Sequence, residues 1–176
     1  GKIEIKSFEP SASNLRVLLR NISVNNLGYN ICVNQLPIGN ENNKYVKFFE
    51  SSFNEGSAFH NLDFSNGKNK ITKNENSCSI YSTNLDSLTI DKNFKYPNYI
   101  KIDVDGNEKS ILEGAKKIFN NSSLKSILIE LDENDKDFSK IKSFFKKYKF
   151  KMVSSHSPPI FMSNKTNVKN FIFERY

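Results

Sequence analysis

Three carboxylates lie within six residues of one another, at Asp103, Asp105 and Glu108. Asp103 lies near the end of a compact apolar run at 99–104 that predicts a buried strand, and the other two acids follow this run. Gly106 with Asn107 predicts a turn into a helix. Carboxylates grouped in this way can bind a divalent cation through oxygen ligands, or one of them can act as a general base. The alternative is the start of a helix with solvated acids, which the spacing alone favours.

Glu9 is a further acid that follows a predicted strand. Residues 3–8 alternate between apolar and polar types, as a strand does, and Pro10 with Ser11 indicates the beginning of a helix. An acid at the end of a strand can accept hydrogen bonds from both hydroxyls of a ribose. The alternative is an exposed carboxylate that interacts favourably with the N-terminal end of the helix dipole.

The elements that would position these acids alternate between strands and helices. Further strands are predicted at 29–36, 126–131, 150–154 and 170–175, with one helix after Ser11, one after Asn107 and one from a cap at Asp135 to about 148. Residues 40–98 are rich in Asn, Ser, Lys and Gly, which predicts a loop-rich insertion with one or two short strands. The order predicts an α/β fold with a mostly parallel sheet, in which ligands bind outside the carboxyl ends of the strands. Glu130 lies near another such end.

Length and composition indicate a single domain over residues 1–176. The chain is 37% hydrophobic and 26% charged, which is enough to bury a core. Because no run of about 18 apolar residues occurs, the sequence predicts no transmembrane helix, and we expect a cytoplasmic protein. Cys32 and Cys78 are too few for a disulfide framework and lack metal-site spacing, and neither His60 nor His156 has a matched partner in the sequence.

The formal net charge of +7 comes from lysine, since arginine occurs at three positions among 26 basic residues. Arginine is the usual reader of phosphates and guanines, whereas lysine often serves as a solvated charge. We therefore expect no nucleic-acid partner, and interpret the densest lysine cluster as the polar face of an amphipathic helix, with a phosphate-binding face as the alternative. The cluster comprises Lys136, Lys140, Lys142, Lys146, Lys147, Lys149 and Lys151.

Four segments, taken in order, resemble the FkbM-type methyltransferases. The most specific is Ile100-Lys101-Ile102-Asp103-Val104-Asp105-Gly106-Asn107-Glu108, with Ile111-Leu112-Glu113-Gly114-Ala115 behind it. The others are Phe8-Glu9-Pro10, Asn84-Leu85-Asp86-Ser87-Leu88 and Ile127-Leu128-Ile129-Glu130. Together the segments cover about residues 3–131.

The resemblance implies an S-adenosylmethionine-dependent O-methyltransferase that acts on a hydroxyl of a sugar or another small natural product. It implies a Rossmann-like class I methyltransferase fold, whose mostly parallel sheet has an antiparallel C-terminal strand. Glu9 would hold the cofactor ribose and Pro10 would lie beside the adenine. Asp103, Asp105 and Glu108 would lie at the reacting end, and the need for a divalent metal is left open.

The sequence departs from the family in one respect. Members begin with a first strand and a glycine-rich loop that holds the methionine end of the cofactor, whereas no two glycines in this chain are closer than eight residues. In the family's sheet order, 3-2-1-4-5-7-6, that strand is central. We therefore expect a partial domain that begins at its second strand and by itself binds S-adenosylmethionine poorly or not at all. The alternative is a non-catalytic domain that keeps the fold and acts as a binding module.

Overall fold

A computed structural model describes residues 3–50, 61–63, 76–91, 94–104, 106–157 and 167–176, and strands and helices alternate through much of this range. The described residues belong to two compact units, Gly1–Asn84 and Leu85–Tyr176. The first unit contains β1 (Ile5–Phe8), α1 (Ala12–Val24), β2 (Ile31–Asn34), β3 (Lys44–Glu50), β4 (Asn61–Asp63) and β5 (Asn76–Ser82). The second contains α2 (Leu85–Asp91), β6 (Tyr99–Ile102), α3 (Glu108–Glu113), α4 (Lys116–Asn120), β7 (Ser126–Asp132), α5 (Phe138–Lys147), β8 (Phe150–His156) and β9 (Val168–Arg175).

The first unit begins with a strand–helix–strand arrangement. β1 and β2 pair in parallel, with Ile5 opposite Ile31. Parallel neighbours need a crossover connection, which α1 supplies. Ser11 is the N-cap residue of α1, and its Oγ accepts a hydrogen bond from the N–H of Asn14 at 3.4 Å. The predicted strands and the predicted helix start are confirmed here.

An antiparallel sheet in the order β4-β3-β5 completes the first unit. In β3 the side chains of Val46 and Phe48 are buried, while those of Tyr45 and Lys47 are exposed. Residues 40–98 therefore hold three strands and α2, more than the one or two short strands expected. The apolar runs 46–49 and 78–81 lie in β3 and β5, whereas β4, with three residues, is too short for an alternating pattern to identify it.

The sheet of the second unit is mixed and has the order β6-β7-β9-β8. β6 and β7 are parallel, whereas β9 lies antiparallel between β7 and β8. The prediction of a mostly parallel sheet is therefore only partly met. β1–β2 and β6–β7 are parallel pairs, and the remaining pairs of described strands are antiparallel.

The core of the second unit is rich in aromatic side chains. Phe145 of α5 stacks on Phe173 of β9, with ring centroids 3.8 Å apart and planes 5° apart. Phe119 of α4 contacts Phe145 edge-on at 5.7 Å, and Ile127 and Ile129 of β7 are fully buried. Because burial of a side chain of this size contributes roughly 1.5–3 kcal/mol, these contacts hold α4 and α5 against the sheet.

The predicted helix after Asn107 is two helices, α3 and α4, because the chain leaves the helical pattern at Gly114 and Ala115. Glycine has a low helix propensity, and α4 begins again where the carboxylate of Asp86 accepts hydrogen bonds from its first N–H groups. The prediction of a single helix is therefore wrong.

The predicted cap of α5 also needs correction. Asp137, not Asp135, is the N-cap residue of this helix. Oδ1 of Asp135 accepts a hydrogen bond from the N–H of Asp137 at 2.7 Å, so Asp135 stabilises the turn before the helix. None of the helices in the described part of the chain is long and apolar enough to cross a membrane.

Candidate functional site

Glu9 lies directly after β1, and its backbone N–H donates to the carbonyl of Asn34, which ends β2. Its Oε1 accepts a hydrogen bond from the N–H of Ser11 at 2.8 Å. Ser11 is fully buried, and its Oγ donates to Oε1 of Glu50 at 2.8 Å. These contacts fix the turn between β1 and α1, with the half-buried carboxylate of Glu9 at its beginning.

Pro10 is half-buried in the same turn, between Glu9 and the N-cap residue Ser11. The pyrrolidine ring fixes φ and needs no N–H partner, which suits a position just before a helix. The structure therefore brings Glu9 and Pro10 together in the first unit, at the carboxyl end of β1.

Asp103 lies at the carboxyl end of β6, in the second unit. Its Oδ2 accepts a hydrogen bond from Nζ of Lys101 at 2.7 Å, and its side chain is 46% exposed. The parallel register pairs Ile102 with Ile129, so Asp103 and Glu130 are the next residues along two adjacent strands. Asp103 directly follows its strand, as the sequence predicts, whereas Glu130 lies within β7, two residues before the end of the strand.

Glu108 is the first residue of α3 and is half-buried. Its Oε1 accepts a hydrogen bond from the N–H of Gly106 at 3.1 Å. Gly106 has a φ of +94°, a conformation that favours glycine, so the turn before α3 depends on this residue type. The predicted site residue Asp105 lies outside the described residues.

The clearest electrostatic effect in the second unit is at Asp137. Its Oδ1 accepts hydrogen bonds from Nζ of Lys140 at 2.8 Å and from Nζ of Lys109 at 3.1 Å. These two ammonium groups, Lys140 first, lower the pKa of the Asp137 carboxyl below its usual value. Since Lys109 belongs to α3, the pair of contacts ties the helix that follows Asp103 to the beginning of α5.

Two acids with structural roles were not assigned those roles from the sequence. Glu50 accepts from Ser11, and Asp86 accepts from the N–H groups of Lys117 and Ile118. An isolated acid at the end of β3 carries no sequence signal, whereas Asp86 stands within one of the family-like segments. Among the residues that the structure describes, no three acids, histidines or cysteines are grouped so that they could hold a metal ion.

Comparison with known proteins gives this geometry a context. The sequence profile of the methyltransferase FkbM domain matches residues 1–152. The chain belongs to the FkbM methyltransferase family. No curated protein matches the chain.

A solved structure agrees with this assignment at the level of the fold. The crystal structure of methyltransferase FkbM from Methylobacillus flagellatus KT matches with a TM-score of 0.58 and 17% sequence identity. The match covers 97% of this chain and 36% of that chain. The α/β methyltransferase-like fold expected from the sequence is therefore confirmed. The present chain spans about a third of the length of this structural relative.

Proposed function

We propose that the protein to which this chain belongs is an S-adenosylmethionine-dependent O-methyltransferase that acts on a hydroxyl of a sugar or another small natural product. The match of the FkbM family profile to residues 1–152 is the observation that carries this proposal. The acids that follow β1 and β6 support it, because ligands of open α/β sheets bind outside the carboxyl ends of the strands.

The residues after β1 fit the cofactor ribose. A carboxylate has about four acceptor positions, so Glu9 can accept from the two ribose hydroxyls while Oε1 keeps its hydrogen bond to the N–H of Ser11. That hydrogen bond orients the carboxylate before the cofactor arrives, and Pro10 offers an apolar surface beside the adenine. When bound, S-adenosylmethionine supplies a methyl group activated by a sulfonium centre.

The residues after β6 fit the acceptor. Asp103 is exposed at the strand end and can accept the proton of a substrate hydroxyl, while Lys101 holds its Oδ2 in place. Alignment of the hydroxyl supplies much of the rate of an in-line methyl transfer, so orientation by Asp103 is as important as proton removal. We assign Asp105 and Glu108 to the same region, with Glu108 also supporting the turn at Gly106.

The methionine end of the cofactor needs a further element. The 176 residues contain no closely spaced glycines of the family's kind, and we propose that residues outside this sequence supply the central strand and the glycine-rich loop. The order β6-β7-β9-β8 corresponds to strands 4-5-7-6 of the family and the pair β2-β1 to strands 3-2, so among the described strands the family's strand 1 has no counterpart.

Titration calorimetry with S-adenosylmethionine on the full-length protein tests the role of Glu9. Glu9→Ala should raise the dissociation constant about tenfold or more, since hydrogen bonds to a charged group contribute about 1.5–3 kcal/mol each. Glu4→Ala is the matched control, because Glu4 is an exposed acid on the same segment and pairs with Lys6. Equal affinities in the wild type and both variants would contradict the assignment.

Turnover tests the role of Asp103. Release of S-adenosylhomocysteine in the presence of candidate hydroxyl acceptors should fall about 100-fold or more in Asp103→Asn, with little change in cofactor affinity. Asp132→Asn, at the end of the adjacent strand β7, keeps the Oδ1 that accepts from Asn134 and should retain wild-type turnover. If the full-length protein neither binds the cofactor nor transfers methyl groups, the non-catalytic binding module is the better description.

A further inference from the structure

A shallow groove of about 590 Å³ lies along α5 and the strands β8 and β9 of the second unit. Its lining combines three lysines with apolar and aromatic side chains. The lining residues are Lys142, Ser143, Lys146, Phe150, Lys151, Met152, Phe173 and Tyr176. This surface is called the α5–β8 face below, and it is remote in sequence from the acids assigned to methyl transfer.

The α5–β8 face carries positive charge that is not neutralised locally. Lys142 and Lys146 are four residues apart and therefore share one face of α5, and Lys151 follows on β8. Among the described residues none of the three makes an ion pair, although Glu174 lies opposite Lys151 in the β8–β9 register. Between Asp137 and Glu174 the sequence has eight lysines and no acid. Lys142, Lys146 and Lys151 therefore give this face an excess of positive charge, with Glu174 as the acid opposite Lys151.

Apolar surface lies between these charges. Phe150 and Phe173 form the floor of the groove and are almost completely buried. Met152 and Tyr176 are exposed, by 48% and 65% of their surfaces. An exposed thioether and an exposed phenol beside lysine side chains are suited to an interface between water and an apolar phase, where lysine and tyrosine place their polar ends in water.

The composition of the face distinguishes among anionic partners. Single-stranded nucleic acids stack successive bases on several accessible aromatic rings, whereas in this lining Phe150 and Phe173 are buried, Tyr176 is the one exposed ring, and there is no arginine. A peptide strand added to β8 would meet the irregularity between Met152 and Ser154, which interrupts the edge. The apolar face of α5 is buried against the sheet, so α5 offers its lysines, and exposed apolar side chains lie beside them on β8 and after β9. Lysines grouped beside exposed apolar side chains are typical of binding to anionic lipids.

We propose that the α5–β8 face binds the surface of a membrane that contains anionic lipids. Lys142, Lys146 and Lys151 contact the phosphate headgroups, and Met152 and Tyr176 enter the boundary between headgroups and acyl chains. The protein remains peripheral, because the contact uses one side of α5 and the edge of the sheet. This proposal does not depend on the proposed methyl transfer.

Co-sedimentation with vesicles tests the proposal. The protein should bind vesicles of phosphatidylglycerol and phosphatidylcholine but not phosphatidylcholine alone, and raising the salt from 50 to 500 mM should release it. Because each lysine near an anionic surface changes the partition coefficient about fivefold, K142Q/K146Q/K151Q should lower it about 100-fold. Met152→Ser, which leaves the charge unchanged, should lower it severalfold.

The matched control is K47Q/K116Q/K117Q, which removes the same charge from exposed lysines elsewhere in the chain and should change the partition coefficient by less than about threefold. Equal losses of vesicle binding in the two triple variants would overturn the proposal, because binding would then depend on the net charge of the protein and not on the α5–β8 face. Binding of the wild type to neutral vesicles with the same affinity would overturn it, as would failure to bind anionic vesicles. Tighter binding to a mixed-sequence RNA through the same three lysines would also overturn it.

Discussion

Asp86 is a single side chain that determines where α4 begins. Its two carboxylate oxygens accept hydrogen bonds from the N–H of Lys117 at 2.9 Å, and Oδ1 also accepts from the N–H of Ile118 at 3.1 Å. The first N–H groups of a helix have no partner within it, so an acid supplied by another helix can satisfy them and interact with the helix dipole.

We expect Asp86→Ala to destabilise the protein by about 1–2 kcal/mol, as the loss of an N-cap does. Urea denaturation followed by circular dichroism measures the change. Asp86→Asn retains one acceptor oxygen and should lose about half as much. An unchanged midpoint in Asp86→Ala would contradict the capping role.

The carboxylate of Asp137 makes stability depend on pH. Lys140 and Lys109 lower its pKa in the folded protein, so the ionised form stabilises the fold at pH values above the unfolded pKa of about 3.9. This contribution is lost as the pH falls through the lower pKa of the folded state. Melting temperatures between pH 6 and pH 2 should therefore fall less steeply in Asp137→Asn than in the wild type. Lys142→Gln, on the same helix, should retain the wild-type slope.

At the scale of elements, the end of α5 adopts a backbone conformation that its residue type disfavours. Lys149 has a φ of 61°, two residues after the helix ends, and its carbonyl accepts from the N–H of Tyr176. Glycine is the usual residue in the left-handed conformation that follows a helix. Lys149→Gly should therefore stabilise the protein by about 0.5–1 kcal/mol in urea denaturation. Lys142→Gly, at an exposed position in the middle of the helix, should instead destabilise it by about 1 kcal/mol.

The strands and helices with clear periodicity could be predicted from the sequence. The predicted strands 3–8, 126–131 and 170–175 correspond to β1, β7 and β9, because local alternation or a short buried run identifies a strand. The division of one predicted helix into α3 and α4 could not be predicted, since it depends on Asp86, which is 31 residues away from Lys117. Long-range hydrogen bonds of this kind leave no periodic pattern.

The candidate site likewise has features that could be predicted from the sequence and features that could not. Glu9 and Asp103 could be placed at the carboxyl ends of strands, because the ends of apolar runs are visible in the sequence. The hydrogen bond that holds the turn after Glu9 could not be predicted, because Ser11 donates to Glu50, which is 39 residues away in the chain. The assignment of roles to these acids stays a prediction, which the cofactor and turnover measurements above address.

At the scale of the second unit as a whole, Arg175 joins several elements. Its guanidinium donates to the carbonyls of Phe119, Asn121 and Leu124 at 2.8–2.9 Å, and to that of Tyr148 at 3.4 Å. Burial lowers the pKa of Arg175, but an arginine stays charged at every pH at which the protein is folded. One side chain thus links β9 to the ends of α4 and α5.

We expect Arg175→Leu to destabilise the protein by about 2–4 kcal/mol, because it leaves several carbonyls without their donor. Differential scanning calorimetry should show a clearly lower melting temperature. Arg20→Leu is the control, since Arg20 is an exposed residue of α1, and it should change stability by less than about 0.5 kcal/mol. Similar losses in the two variants would exclude the linking role.

The position of β9 has a consequence for biosynthesis. β9 lies between β7 and β8, although it follows both in the chain. On the ribosome, β7 and β8 therefore emerge before the strand that joins them, and both keep an open edge until β9 has been made. The end of β9 lies 19 residues after the end of β8, so at about 5–20 residues per second β8 keeps its open edge for roughly one to four seconds, and β7 for about twice as long. A chaperone that shields strand edges would act on the nascent chain during this interval.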